Sequence, residues 1–349
     1  MINDRTPWID NAKAIGIILV VYGHVARGLV SSNIEAPTPY YQLMDQVIYS
    51  FHMPLFFFLS GLFFIQTLDK KGTGKLVLSK VDTILYPYVV WSLIQGGIEV
   101  FLSQHANGSV TVSEVLALWW QPRAQFWFLY ALFFVFAFAS LTYWAFSTRR
   151  HLLIFGVSVV LYLFPPPLTH YIIPNFIVGH LVFFCLGIVF NTHFRIAKFS
   201  SLTSLVLITA AFAIAQWLFH TVFEFRSSDR NPALLALTCV SILFVVSLGA
   251  YLAQKNLKFL AFIGASSMAI YLMHILAGSG TRVVLSKLLH IDSFTLHLIA
   301  GCMAGVLAPL LAVVIIQRLK IPFVFSAPIS KFLIQLICLK NLMKKNTSK

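Results

Sequence analysis

Stretches of roughly twenty apolar residues recur from end to end of this 349-residue chain, and that recurrence limits what it can fold into. At ~1.5 Å rise per residue, such a run crosses the ~30 Å hydrocarbon core of a bilayer as a helix. Ten runs lie near 10–30, 46–67, 83–103, 125–146, 151–165, 174–191, 201–222, 232–253, 258–278 and 294–317. The fifth is short, stopped by Pro165-Pro166-Pro167, and is expected to be tilted or incomplete. Residues 321–340 are moderately apolar but broken by Pro322, Pro328 and Lys331. They read as interfacial, with an eleventh crossing as the lesser alternative. The expected fold is all-α, a polytopic membrane helix bundle of about ten transmembrane helices. Residues 1–320 would form the membrane domain and 321–349 an interfacial and basic cytoplasmic tail. Charged residues make up only 10% of the chain, against about a quarter in soluble domains.

The charges that remain are mostly cations, 25 Lys and Arg against 11 Asp and Glu. With the N-terminus in the cytoplasm and the helices alternating, 19 of those 25 fall on the inner side, including Arg5 and the tail from Arg318 to Lys349. This bias predicts two cytoplasmic termini and a multi-pass protein of the inner (plasma) membrane. The net charge of +14 then serves topology and contact with anionic lipid, and no nucleic-acid partner is expected. The first run has the length and polar groups of a retained span, so no cleavable signal is expected. Cys185, Cys239, Cys302 and Cys338 are scattered without C-x-x-C spacing, which predicts neither disulfides nor a metal site.

Ionisable groups inside a membrane are costly and mark functional positions. The first run carries Asp10 and Lys13 near its start and His24 near its end. Eleven residues at about 100° each bring Lys13 and His24 to nearly the same helix face, roughly 16 Å apart along the axis. An imidazole titrates near neutrality, so His24 suits general-base work on a hydroxyl. Lys13 suits holding an anion, or it is a snorkelling residue at the membrane edge. Asp10 is either functional or a cap of the first helix.

Two further segments stand out. In Phe51-His52-Met53-Pro54-Leu55-Phe56-Phe57-Phe58-Leu59-Ser60-Gly61, Pro54 predicts a kink inside a spanning helix, and Ser60-Gly61 permits close helix approach. Late in the chain, Ser267, Tyr271 and His274 follow i, i+4, i+7 spacing and share a helix face. That stripe reads equally as interhelical hydrogen bonding or as part of a site. His24, His52, His180 and His274 all map to the outer half of their helices, and His170 lies in an outer connection. His170 and His180 read as interfacial residues.

At these residues the chain resembles the acyltransferase 3 family of integral-membrane acyltransferases. The resemblance rests on a basic residue, ten intervening residues and a histidine, met by Lys13 and His24. It rests also on a Met-Pro-x-Phe-Phe-x-x-Ser-Gly type of second helix, met by Met53 to Gly61, and on a Ser…Tyr-Leu-x-His stretch, met by Ser267 to His274. The opening Trp8-Ile9-Asp10-Asn11-Ala12-Lys13 is most similar to the fucose 4-O-acetylase and xanthan-type exopolysaccharide branch. The resemblance implies transfer of an acetyl group from cytoplasmic acetyl-CoA to a sugar hydroxyl, polymeric or lipid-linked. His24 would be the catalytic histidine and Lys13 its basic partner. Acetyl-CoA would be a substrate, with no resident cofactor. His52, Ser60, Ser267, Tyr271 and His274 are candidate substrate contacts, with His52, Ser60 and Tyr271 as possible oxyanion donors. The family's Arg-x-x-Arg pair before the third helix is absent, leaving Lys75, Lys80, Arg149 and Arg150 as candidate donor-phosphate contacts or as topology charges. Direct attack by the acceptor oxygen is the preferred mechanism, with an acyl-histidine intermediate as runner-up. A transporter or flippase is the competing class, since embedded charges and broken helices also mark substrate pathways. A non-catalytic sensor or scaffold is a third.

Overall fold

The first apolar run becomes one uninterrupted helix because nothing inside it breaks the pattern. A computed structural model of the protein describes residues 6–34, 39–102 and 110–332. Arg5, Cys338 and residues 333–349 of the basic tail lie outside the described residues. Helix α1 (Pro7–Val30) begins on a proline, whose fixed φ and missing N–H suit the first helical position. It ends where Ser31 and Ser32 turn their hydroxyls onto the Gly28 carbonyl, at 3.0 and 2.6 Å, and Asn33 takes a left-handed φ of 61°.

The chain continues through α2 (Tyr40–Tyr49), α3 (His52–Gly61), α4 (Phe64–Lys71), α5 (Thr73–Lys80), α6 (Tyr86–Phe101), α7 (Val112–Leu116) and α8 (Trp127–Phe146). It goes on through α9 (His151–Leu163), α10 (Ile172–His193), α11 (Leu202–Trp217) and α12 (Pro232–Ala253). Helices α13 (Lys258–Ala265), α14 (Ser267–Val283) and α15 (Phe294–Arg318) complete it, and no strand occurs among the described residues.

Among those residues, nine helical stretches are long and apolar enough to cross a membrane: 7–30, 40–71, 73–101, 112–146, 172–193, 202–222, 232–253, 267–288 and 294–318. The protein is a polytopic helical membrane protein. Two expected spans come out differently. The run at 151–165 forms only the 13-residue α9, about 20 Å long, because the proline triplet ends it. The run at 258–278 is divided at Ser266 into α13 and α14. Its crossing part runs from Ser267 to Leu288, beyond the expected end. Gly264, Ser266 and Ser267 are weak helix formers at that division.

The chain packs into two compact units, residues 1–63 with 151–319, and residues 64–150 with 320–349. In the first, α1 packs on α3, α12, α13, α14 and α15. A Cβ on Gly16 would touch Leu55 and Phe56, and one on Gly23 would touch Tyr49. The α2–α3 segment therefore runs antiparallel to α1. Val25 lies against Gly278 and Gly301, and Val21 against Gly305, so α14 runs with α1 and α15 against it. Helices α9 and α10 pair antiparallel, with ring contacts His151–His193 and Tyr162–Phe183. The expected close approach at Gly61 is present. Its Cα faces the Phe184 carbonyl of α10, while Gly187 of α10 faces the Phe58 carbonyl of α3.

The expected kink at Pro54 is a full break, and it falls earlier, at Ser50–Phe51. Pro54 sits in the first turn of α3, where a missing N–H is tolerated. The carbonyl four residues before it belongs to Ser50 and faces Thr238 Oγ1 of α12 at 2.8 Å. Thr238 also lies 2.7 Å from the Leu234 carbonyl of its own helix. Gln216 of α11 donates to Ser50 Oγ at 3.3 Å and to Ser241 Oγ at 3.1 Å. Neighbouring helices thus satisfy what the broken backbone leaves open. Thr238→Val keeps the shape and removes the donor. It should lower stability by about 1–3 kcal/mol, read as a lower thermal midpoint in detergent. An unchanged midpoint would mean that the Ser50 carbonyl does not depend on Thr238.

In the second unit a π-helical turn, Val81–Leu85, joins α5 to α6. Gln95 of α6 and Gln125 exchange amide hydrogen bonds at 2.6 and 3.3 Å, and Arg123 pairs with Glu99 at 2.6 Å. Residues 320–332 dock on the α5–α6 side. Ser330 N donates to Asp82 at 2.7 Å, Tyr86 to the Phe323 carbonyl at 2.8 Å and Trp91 to the Val324 carbonyl at 2.9 Å. Residues 321–328 are irregular chain held by side chains of that face, and a helix begins at residue 329.

Candidate functional site

Because α1 is continuous from Pro7 to Val30, Lys13 and His24 keep the spacing expected of one helix, roughly 16 Å on nearly one face. Both side chains are half-buried. His24 meets His274 of α14, with ring centroids 5.2 Å apart at 59°. The running of α14 alongside α1 makes this meeting possible, since residues 250 apart in sequence reach the same depth. His274 is fully buried, and its Nδ1 lies 2.8 Å from the Tyr271 carbonyl and 3.1 Å from the Ile270 carbonyl. A carbonyl only accepts, so Nδ1 carries the proton and Nε2 carries a lone pair. Tyr271 is also buried, its ring 6.2 Å from that of His274. Ser267 is half-buried at the first position of α14, about 10 Å below His274 along the axis.

A second group of side chains closes on the same part of α1 from the α2–α3 break. Tyr49, the last residue of α2, lies against Gly23, the residue before His24. Its ring carries the Arg27 guanidinium at 3.2 Å on its face and meets His52 edge-on at 4.5 Å. Arg27 is held by Asp45 through two bonds of 2.7 and 2.8 Å. His52 is buried and its Nδ1 donates to the Ile48 carbonyl at 2.8 Å. That bond satisfies a carbonyl next to the break, and it leaves Nε2 as an acceptor. In this form His52 does not offer the N–H that an oxyanion donor needs.

The remaining sequence candidates lie elsewhere. Extending the α1–α3 register from Gly23–Tyr49 and Gly16–Leu55 places half-buried Ser60 near the depth of Asn11 and Ala12, about 18–20 Å from His24. Asp10 is the fourth residue of α1, since the helix starts at Pro7 after Thr6. It therefore does not occupy the cap position. Its carboxylate favours the helix N-terminus through charge, and its carbonyl is pressed against Gly264 of α13. Lys75, Lys80, Arg149 and Arg150 belong to the second unit. Lys75, Arg149 and Arg150 are exposed, while Lys80 is half-buried with its ammonium 4.1 Å over the Phe136 ring. His180 stacks on Phe57 at 4.4 Å. Among the described residues no group of three His, Cys, Asp or Glu gathers that could hold a metal.

The sequence reading passed over Arg27, Asp45 and Tyr49. The signal for them in the sequence is the opposite charge of Arg27, at the outer end of the first span, and Asp45, at the outer end of the next. The assembled arrangement offers a half-buried imidazole, a fixed imidazole lone pair beside it, and a cation close by. Such a set can take a proton from a hydroxyl and hold it.

A family model described as an acyltransferase domain matches residues 6–315. The chain belongs to the acyltransferase 3 family. That match takes in every site residue named above. Two nodulation proteins NolL are similar to this chain. The one from Sinorhizobium fredii (strain NBRC 101917 / NGR234) is 28% identical over 195 residues, 54% of this chain and 49% of its own length. The one from Mesorhizobium japonicum (strain LMG 29417 / CECT 9101 / MAFF 303099) is 27% identical over 196 residues, 54% of this chain and 48% of its own. The chain thus matches about half the length of these curated relatives. No solved structure matches it.

Proposed function

We propose that this member of the acyltransferase 3 family is an inner-membrane O-acetyltransferase. It moves an acetyl group from cytoplasmic acetyl-CoA to a saccharide hydroxyl on an exopolysaccharide, a lipid-linked saccharide or a related glycan. The observation that carries the reading is His24, half-buried on a spanning helix beside the fixed lone pair of His274. A transporter needs no oriented base in a spanning helix, whereas attack of a hydroxyl on a thioester does. His24 takes the hydroxyl proton as the acceptor oxygen attacks the acetyl carbon, and the proton leaves with the thiol. Lys13, one face along and roughly 16 Å away, suits the polar end of a long, thin donor.

The test is acetyl transfer itself. Purified protein in detergent, given labelled acetyl-CoA and the lipid and polysaccharide fractions of its host, should move label into one of them. The labelled fraction names the acceptor class. Transfer absent from every fraction, with uptake of saccharide into vesicles instead, would replace this reading with transport.

A further inference from the structure

Among the described residues three histidines, His220, His274 and His297, have a buried ring nitrogen with no hydrogen-bond partner, and His274 is the one that stands beside His24. It is 0% exposed, its Nδ1 proton is fixed by two backbone carbonyls, and its Nε2 has no hydrogen-bond partner. Buried polar atoms nearly always find partners, so one that does not calls for an explanation. The polar ring beside it is His24, 5.2 Å away between centroids. The same molecule supplies a ruler for that spacing. His151 and His193, whose Nε2 atoms are 2.8 Å apart, have centroids 5.0 Å apart. The His24–His274 centroids are spaced almost as that bonded pair is, so a turn of the half-buried His24 ring can bring one of its nitrogens onto the unbonded Nε2 of His274. The two carbonyls on Nδ1 also prevent the His274 ring from turning its lone pair elsewhere.

We propose that His274 is the positioning residue for His24: its Nε2 accepts the N–H of His24 and so keeps the other His24 nitrogen facing the acceptor hydroxyl as a base. This rests on the transferase reading above. In the transfer step the acceptor O–H bond breaks as its oxygen bonds to the acetyl carbon. The proton goes to the open nitrogen of His24, whose second N–H remains bonded to His274. The carbon–sulfur bond then breaks, and the proton passes from His24 to the departing thiolate to give the thiol. His274 itself gains and loses nothing. Its role is that of a neutral acceptor holding a catalytic imidazole in one tautomer, a task that carboxylates and carbonyls perform elsewhere.

Two variants and one spectrum test this. His274→Leu keeps apolar bulk and removes the acceptor, while His274→Gln can return an oxygen to the Nε2 position. With labelled acetyl-CoA, His274→Leu should lower kcat by about 100-fold with the KM for acetyl-CoA within about twofold. His274→Gln should recover about tenfold of that loss. Equal kcat in wild type and His274→Leu, or equal damage in both variants at wild-type thermal midpoint, would overturn the proposal. Should His274→Leu fail to fold, histidine-ring 15N spectra of wild type and His24→Ala decide instead. The His274 Nε2 resonance should move toward that of an unbonded ring nitrogen when His24 is removed, and an unmoved resonance would overturn the proposal. The spectrum needs no acetyl transfer, so an inactive wild type would sink the transferase reading while still judging the His24–His274 bond.

Discussion

Membranes carrying His24→Ala should transfer labelled acetyl about 10²–10⁴-fold more slowly than wild-type membranes at equal protein abundance. The range is the usual contribution of one positioned general base, or about 3–5 kcal/mol of barrier at 1.36 kcal/mol per decade. Alanine removes the imidazole without asking any neighbour to move, because His24 is only half-buried and its helix is fixed elsewhere. Asn11 donates to the Gly249 carbonyl at 3.1 Å, and Arg282 donates to the Gly28 carbonyl at 2.8 Å. The variant protein should therefore keep its elution profile, with at most the small drop in thermal midpoint expected when His274 Nε2 loses a partner. Loss of rate without loss of fold would assign the base. Transfer at the wild-type rate would remove His24 from the mechanism, whatever the family.

The crossing of α3 and α10 should be a fragile packing contact of the first unit, since both helices contribute a glycine to it. At Gly61 and Gly187 each added Cβ would overlap a backbone carbonyl oxygen of the facing helix, so no side chain can swing aside to make room. Gly187→Ala would also bring its Cβ to 3.2 Å from the Leu62 nitrogen. In lipid, helices are held by close packing rather than by hydrophobic transfer, so forced separation loses contacts along the whole crossing. Each alanine should cost about 1–3 kcal/mol or more, and the pair should be worse than either alone. Gly156→Ala is the matched control, because nothing lies within 4 Å of its added Cβ. It should be neutral or stabilising by up to about 1 kcal/mol, since glycine is a poor helix former. The comparison is the fraction of protein still monodisperse in detergent after heating. Equal survival of Gly61→Ala, Gly187→Ala and Gly156→Ala would mean that the crossing is not tightly packed. Acetyl transfer should fall with the first two, since α3 continues from the break that places Tyr49 against α1.

Much of this molecule was legible in one dimension. The need to hide apolar runs from water acts locally, so composition and run length predicted the helical membrane fold and most span positions. The spacing of Lys13 and His24 is also local, a matter of 3.6 residues per turn inside one helix. Boundaries were less legible where two weak tendencies competed. Pro54 advertised a disturbance, but the break settled at Ser50–Phe51, where Thr238, from a helix far along the chain, satisfies the freed Ser50 carbonyl. The run at 258–278 looked continuous, yet it divides at Ser266, where Gly264 lies against the α1 backbone.

The site itself divides the same way. Sequence alone determined that helix 1 carries an ionisable pair on one face and that Ser267, Tyr271 and His274 share another. Only the tertiary structure decided that His274 stands beside His24, that Tyr49 and Arg27 flank the same turn, and that Ser60 does not. Periodicity fixes the angle of a side chain around its own axis. It says nothing of which helix will lie against that face or at what depth, because that choice is made by close contacts such as Gly23–Tyr49 and Val25–Gly278, between residues up to 253 positions apart.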